Sequence, residues 1–193
     1  MNHILVELLS QLTPLSENEK IDIEKSFPIK TFEKETFLIR EGQISRNAYY
    51  VIKGLVREYK LINGEEKTTE FYVEGQPVIN FDSIANQTPS TLNFVCAEET
   101  IVAVLNTKKE EELYAKYPRF ETFCRTGMEK MMGIKQIKLT EFITLKPEKR
   151  YQKLQSERPE LLNRVPQYQI ASYLGITPEA LSRIRNRLAH KLS

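Results

Sequence analysis

Cysteine and histidine are scarce in this chain, and that scarcity closes off several chemistries. Among 193 residues there are two cysteines, Cys96 and Cys124, with no CxxC pair. That rules against a disulfide framework, a zinc site or an iron–sulfur cluster. The two histidines, His3 and His190, stand at opposite ends of the sequence, so a histidine-rich metal centre is not available and both are expected at the surface. A β-roll enzyme of the cupin type, which needs several histidines around a metal, is disfavoured for the same reason. No metal, no cofactor and no enzymatic activity are expected.

Long apolar runs are also missing. Near the N-terminus Ile4, Leu5, Val6, Leu8 and Leu9 are interrupted by Glu7 and preceded by His3, too short and too mixed for a signal peptide or a membrane span. A cytoplasmic protein with no membrane partner is expected. The net charge is only +2, but it is unevenly placed. From Lys146 onward ten basic residues face four acidic ones, whereas residues 1–145 carry eighteen basic and twenty-two acidic. A local basic excess of this kind is the electrostatic footprint of a nucleic-acid partner, because phosphate contacts supply most nonspecific affinity.

The basic segment contains the most informative pattern. Ile170, Tyr173 and Leu174 follow helical spacing, and Leu181, Ile184 and Leu188 resume it after a break, so two helices each have one apolar stripe. Gly175 stands where the first must end, and Thr177-Pro178 offers an N-cap and a first-position proline for the second. This predicts a helix-turn-helix. On the second helix Glu179, Ser182 and Arg183 fall at i, i+3 and i+4 on one exposed face and are the candidate base readers. Arg183 suits guanine, Glu179 a cytosine amino group, and Ser182 a base edge or a thymine methyl neighbourhood. Tyr168, Gln169, Thr177, Arg185, Arg187 and Lys191 are candidates for phosphate contact and positioning. The same spacing would also fit a solvated helix in a small all-α module.

Upstream, residues 1–28 read as a helical lead-in with a Ser16/Glu19 capping box. Runs at 36–39, 48–52, 55–59, 68–73, 94–97 and 100–105 are β-rich and separated by Glu41-Gly42, Lys53-Gly54, Asn63-Gly64 and Glu74-Gly75, which predicts a sandwich or barrel. Asn63-Gly64 is the firmest hairpin signal. After Pro118, the apolar positions Phe123, Met128, Met131, Ile134 and Ile137 lie on one long helix, expected to join two copies of the chain. The same stripe would also serve to pack the helix on its own β-domain. The predicted class is α+β: an antiparallel β-roll of the jelly-roll kind with flanking helices over 1–117, a long dimerisation helix over 118–145, and a winged-helix-like helix-turn-helix domain over 146–193.

This order of parts, with Glu41-Gly42, 50–54, Val56-Arg57 and Gly75 in the roll and 170–177 in the reading module, resembles the Crp/Fnr family of bacterial transcription regulators over nearly the whole chain. The resemblance implies a cyclic-nucleotide-binding-like sensor domain, a homodimer on a palindromic double-stranded operator with half-sites ~34 Å apart, and RNA polymerase as a further partner. Glu179, Ser182 and Arg183 match the Fnr-like branch, which implies a TTGA-like or GTGA-like half-site core. At the positions where cyclic-AMP-binding members carry glutamate, arginine and serine, this chain has Asn80, Ser90 and Thr91. Without the arginine a cyclic phosphate has no bidentate partner, so an effector other than cyclic AMP is expected, if any, with Asn80, Phe81, Ser90 and Thr91 as a candidate pocket. The competing expectation is a β-roll module that binds a small ligand or a protein without binding DNA.

Overall fold

The computed structural model describes residues 3–190. Two helices lead in, α1 (Ile4–Leu12) and α2 (Glu17–Ser26), and the expected capping box starts α2: the Ser16 hydroxyl accepts from the Glu19 amide while the Ser16 amide donates to the Glu19 carboxylate. Strands follow: β1 (Ile29–Phe32), β2 (Phe37–Ile39), β3 (Asn47–Lys53), β4 (Val56–Ile62), β5 (Glu65–Tyr72), β6 (Pro77–Val78), β7 (Asn93–Cys96) and β8 (Thr100–Asn106), with α3 (Phe81–Asn86) between β6 and β7. They form two four-stranded sheets, ordered β1-β8-β3-β6 and β2-β7-β4-β5. The register pairs Ile29 with Ala103, and Tyr49 with both Val104 and Val78.

The central strands are covered on both faces. Val51 of β3 and Val102 of β8 join Val56, Val78 and Phe94 inside the roll. Tyr50, Ile52, Ala103 and Leu105, one residue out of phase, face Leu5, Val6, Ile23, Phe27, Leu113 and Phe120 from the flanking helices. Each fully buried aliphatic or aromatic side chain contributes about 1.5–3 kcal/mol. The tightest backbone approach is at Gly54, whose φ is +106° and where a Cβ would lie 2.6 Å from the Glu99 carbonyl oxygen; only glycine fits.

The helical half comprises α4 (Thr107–Lys116), α5 (Arg119–Thr144), α6 (Pro147–Glu157), α7 (Leu161–Arg164), α8 (Gln167–Tyr173) and α9 (Pro178–His190). Residues 146–190 contain no strand among the described residues, so the expected wing is not represented there. The chain divides into two compact units, residues 3–58 with 71–129, and residues 59–70 with 130–190. The outer part of the β4–β5 hairpin therefore belongs to the unit that holds α6 to α9.

His3 corrects the surface expectation. It is 8% exposed, precedes α1 and donates from Nε2 to the Phe27 carbonyl at 2.7 Å, tying the end of α2 to the start of α1. The side chain of His190 lies outside the described residues.

Glu19 is a second tie. It is 7% exposed and accepts from the Arg119 guanidinium at 2.6 and 3.0 Å as well as from Ser16. Burial works against the charge, but the Ser16 hydrogen bonds and Arg119 outweigh it and hold the carboxyl below its ordinary value. Stability from such a group is complete above the unfolded carboxylate pKa and is lost as pH falls through the lower folded value. Glu19→Gln should therefore lower the melting temperature by roughly 2–4 °C at neutral pH, and thermal melts across a pH series should show the gap to the parent closing as both are acidified.

Candidate nucleic-acid interface

The turn between α8 and α9 forms as the sequence requires. α8 ends with the Ile176 amide donating to the Ala171 carbonyl and the Gly175 amide to the Ser172 carbonyl, both at 3.0 Å, a Schellman closure with Gly175 at φ +66°. Thr177 caps α9 by accepting from the Ala180 amide at 3.2 Å, and Pro178 is its first residue. Ile170, Ala171, Leu174, Leu181 and Ile184 are all buried, so the inner faces of the two helices supply the core of the module.

Arg150 on α6 fixes this turn against the end of α5. Its guanidinium donates from Nη1 to the Phe142 and Leu145 carbonyls at 2.9 and 2.8 Å, and from Nε and Nη2 to the Leu174 carbonyl at 3.2 and 2.8 Å. It also lies 4.7 Å from the centroid of the Phe142 ring. One cation thus satisfies terminal carbonyls of two helices, where positive charge is favoured. The corner is tight, and a Cβ on Gly175 would stand 2.8 Å from Phe142 Cζ. Gly175→Ala should destabilise the module by about 1–3 kcal/mol through backbone strain and displacement of that ring, readable as a lower denaturant midpoint with an unchanged slope.

The outer hairpin is held in the same unit by polar contacts. The Ser172 hydroxyl accepts from the Thr68 amide at 2.9 Å and donates to the Glu66 carbonyl at 3.3 Å. Glu70 accepts from Lys138 at 2.7 Å, from Arg158 at 3.0 Å and, weakly, from the Tyr173 hydroxyl at 3.5 Å. Burial, then the Glu70 charge, pushes the Tyr173 phenol up to about 12.

The three candidate base readers come together on the outside of α9: Glu179, Ser182 and Arg183 are all exposed. The backbone amide at Glu179, the Thr177 hydroxyl and the Arg183 charge hold the Glu179 carboxyl below its usual value, so it is a carboxylate acceptor at neutral pH. The positioning candidates are more varied. Tyr168 is exposed and its hydroxyl accepts from Gln169 Nε2 at 3.1 Å, while Gln169 is half-buried with an unpartnered Oε1. The Thr177 hydroxyl is already engaged as the cap. Arg185 donates to Gln167 at 2.8 Å and Arg187 pairs with Glu148 at 3.0 Å. Lys191 lies outside the described residues. Beside α9 runs an open groove of about 680 Å³, lined by Ser182, Arg185 and Asn186 on one side and by Tyr151, Gln152 and Gln155 of α6 on the other.

α5 carries more exposed apolar surface than its sequence pattern singled out. Met128, Ile134 and Ile137 are exposed and Met131 is half-buried, whereas Phe123 packs against its own unit's core beside Phe120 and Tyr117. The most exposed apolar residues of α5 are Met132 at 62%, Leu139 at 62% and Ile143 at 73%, at i, i+7 and i+11 on a single stripe. Ile134 and Ile137 fall on the other side of the helix. Arg150 and the stripe were both missed from sequence. Heptad counting from Met132 would have found the stripe, but α5 is apolar on more than one side and the count has several solutions.

The sequence pattern of the cyclic nucleotide-binding domain matches residues 29–117. Three solved structures are similar along most of the chain. The CooA mutant from Carboxydothermus hydrogenoformans is 14% identical with a TM-score of 0.67, covering 95% of this chain and 83% of that one. FixK2 from Bradyrhizobium japonicum is 16% identical with a TM-score of 0.69, covering 86% and 85%. The global regulator CLP from Xanthomonas campestris, described as c-di-GMP responsive, is 16% identical with a TM-score of 0.70, covering 91% and 93%. The chain has the Crp/Fnr fold. At these identities the likeness to the solved structures is one of fold. No curated protein matches it by sequence.

Within the residues that this pattern matches, Asn80 and Ser90 serve the backbone. Asn80 caps α3 by accepting from the Ser83 amide at 3.3 Å and donates to the Ser90 hydroxyl at 2.6 Å, which in turn donates to the Leu92 carbonyl at 2.6 Å. Both are buried, Phe81 is half-buried and Thr91 is exposed. Asn80 and Ser90 are neutral side chains bonded to each other. Among the described residues no group of three or more histidine, cysteine, aspartate or glutamate side chains could hold a metal ion, and no helix is long and apolar enough to cross a membrane.

Proposed function

We propose that this protein is a homodimeric, sequence-specific DNA-binding transcription regulator. The observation that carries the reading is α9: a capped helix, fixed by a Schellman turn and by Arg150, that presents Glu179, Ser182 and Arg183 to solvent on one face. The exposed Met132, Leu139 and Ile143 stripe on α5 is the surface that would join two copies. A two-fold axis there would place two α9 helices on a palindromic operator, with half-sites ~34 Å apart. Tyr168, Arg185 and Arg187 would contact phosphates and set the register, Arg185 and Arg187 after exchanging Gln167 and Glu148 for DNA. RNA polymerase is the partner through which such a dimer would act, in the cytoplasm. The roll, with Asn80 and Ser90 mutually bonded, senses an effector other than cyclic AMP or none.

The test is selection of bound sequences from random duplex DNA by the purified chain, followed by titrations at several salt concentrations. A two-fold symmetric consensus should emerge, with log K falling linearly against log salt by about 0.9 per phosphate neutralised. A chain that enriches no duplex would instead be a ligand- or protein-binding module, and the proposal would fall.

A further inference from the structure

On α9, Asn186 lies seven residues after Glu179, four after Ser182 and three after Arg183. The four side chains therefore form one stripe with i, i+3, i+4, i+7 spacing. At 1.5 Å rise per residue that stripe is ~10 Å long, the reach of about three base-pair steps. Recognition helices of the homeodomain class read the major groove with four side chains in this spacing. We propose that Asn186 is a fourth base-reading residue, which selects an A·T pair within each half-site. The inference rests on the reading of α9 as a recognition helix.

Three observations single out Asn186. Its neighbours in sequence are committed elsewhere, Arg185 to Gln167 and Arg187 to Glu148, whereas no protein group hydrogen-bonds the Asn186 amide among the described residues. It is exposed and stands on the wall of the groove between α9 and α6, so the amide has room to turn toward a ligand. Asparagine is also a poor residue for a helix interior, because its side chain competes for backbone hydrogen bonds, and here it is neither cap nor packing residue. The chemistry complements the other three readers. A carboxamide pairs bidentately with the N6 and N7 edge of adenine, an edge that neither the Arg183 guanidinium nor the Glu179 carboxylate matches.

The experiment repeats the random-duplex selection with the full chain and with the Asn186→Ala and Asn186→Asp variants, alongside thermal melts. The parent is expected to enrich a palindrome with an A·T pair at one defined position of each half-site. Asn186→Ala should lose that preference, about tenfold to a hundredfold per half-site, while keeping the rest of the consensus and melting at the same or a higher temperature. Asn186→Asp keeps the shape but loses the amide donor, and should move the preference at that position toward C·G. A parent palindrome with base preferences unaltered in both variants would overturn the Asn186 assignment and leave the DNA-binding reading standing. A parent that enriches no sequence would overturn both.

Discussion

Arg183→Ala is expected to cut affinity for the selected operator by roughly 30-fold to 10⁴-fold, since a bidentate arginine–guanine pair is worth about 1–3 kcal/mol and a dimer makes it twice. The exposed guanidinium sits one turn from the Glu179 carboxylate, a neighbour that helps orient the fork without burying it. Affinity for random duplex should change far less, because that term belongs to phosphate contacts. Arg183→Lys separates geometry from charge: lysine keeps the positive charge but not the planar fork, so nonspecific binding should survive while discrimination at one base pair per half-site is lost. Equal specificity in the parent and the lysine variant, measured by competition against mismatched operators, would remove Arg183 from the reading face.

Leu139→Glu should have an effect of similar size by a different route. A carboxylate placed in the middle of the Met132, Leu139 and Ile143 stripe would be desolvated opposite its symmetry mate, a costly arrangement for like charges. Sedimentation equilibrium should show the variant at the mass of one chain where the parent has two. Operator affinity should drop by about 10²–10⁴, the advantage that linking two half-site readers confers. Ile137→Glu, on the other side of α5, should leave the mass unchanged. Should Ile137→Glu be the variant that dissociates the dimer, the two copies meet on the face that includes Ile134 and Ile137.

Much of the fold was legible because local signals agreed with each other. Ser16 with Glu19, Asn63 with Gly64, and Gly175 with Thr177 and Pro178 each specify a cap or turn by backbone chemistry that operates within a few residues. The structure places such a feature at each of these points. The buried pairs were not legible in this way. His3 bonds a carbonyl twenty-four residues on, and Arg150 joins carbonyls of α5 and α8, partners that only the folded chain brings together. Short elements were equally hidden: α3 depends on the Asn80 cap, a residue that in sequence looked like part of an effector pocket. Side-chain identity marked where polar chemistry occurs, while its use depended on neighbours distant in the chain.

The outer β4–β5 hairpin bears on how the half that holds α6 to α9 comes into being. That half is not a contiguous stretch of sequence: residues 59–70 complete it, with Glu70 accepting from Lys138 and Arg158 and the Thr68 amide bonded to Ser172. A fragment cut at the start of the long helix would keep every candidate base reader yet lose the carboxylate that offsets two cations and the strand edge that engages α8. During synthesis the hairpin leaves the ribosome long before its partners, and it must wait for α8 before its outer contacts can close. The two units are thus interleaved in the order of the chain itself and cannot be separated by a single cut between them.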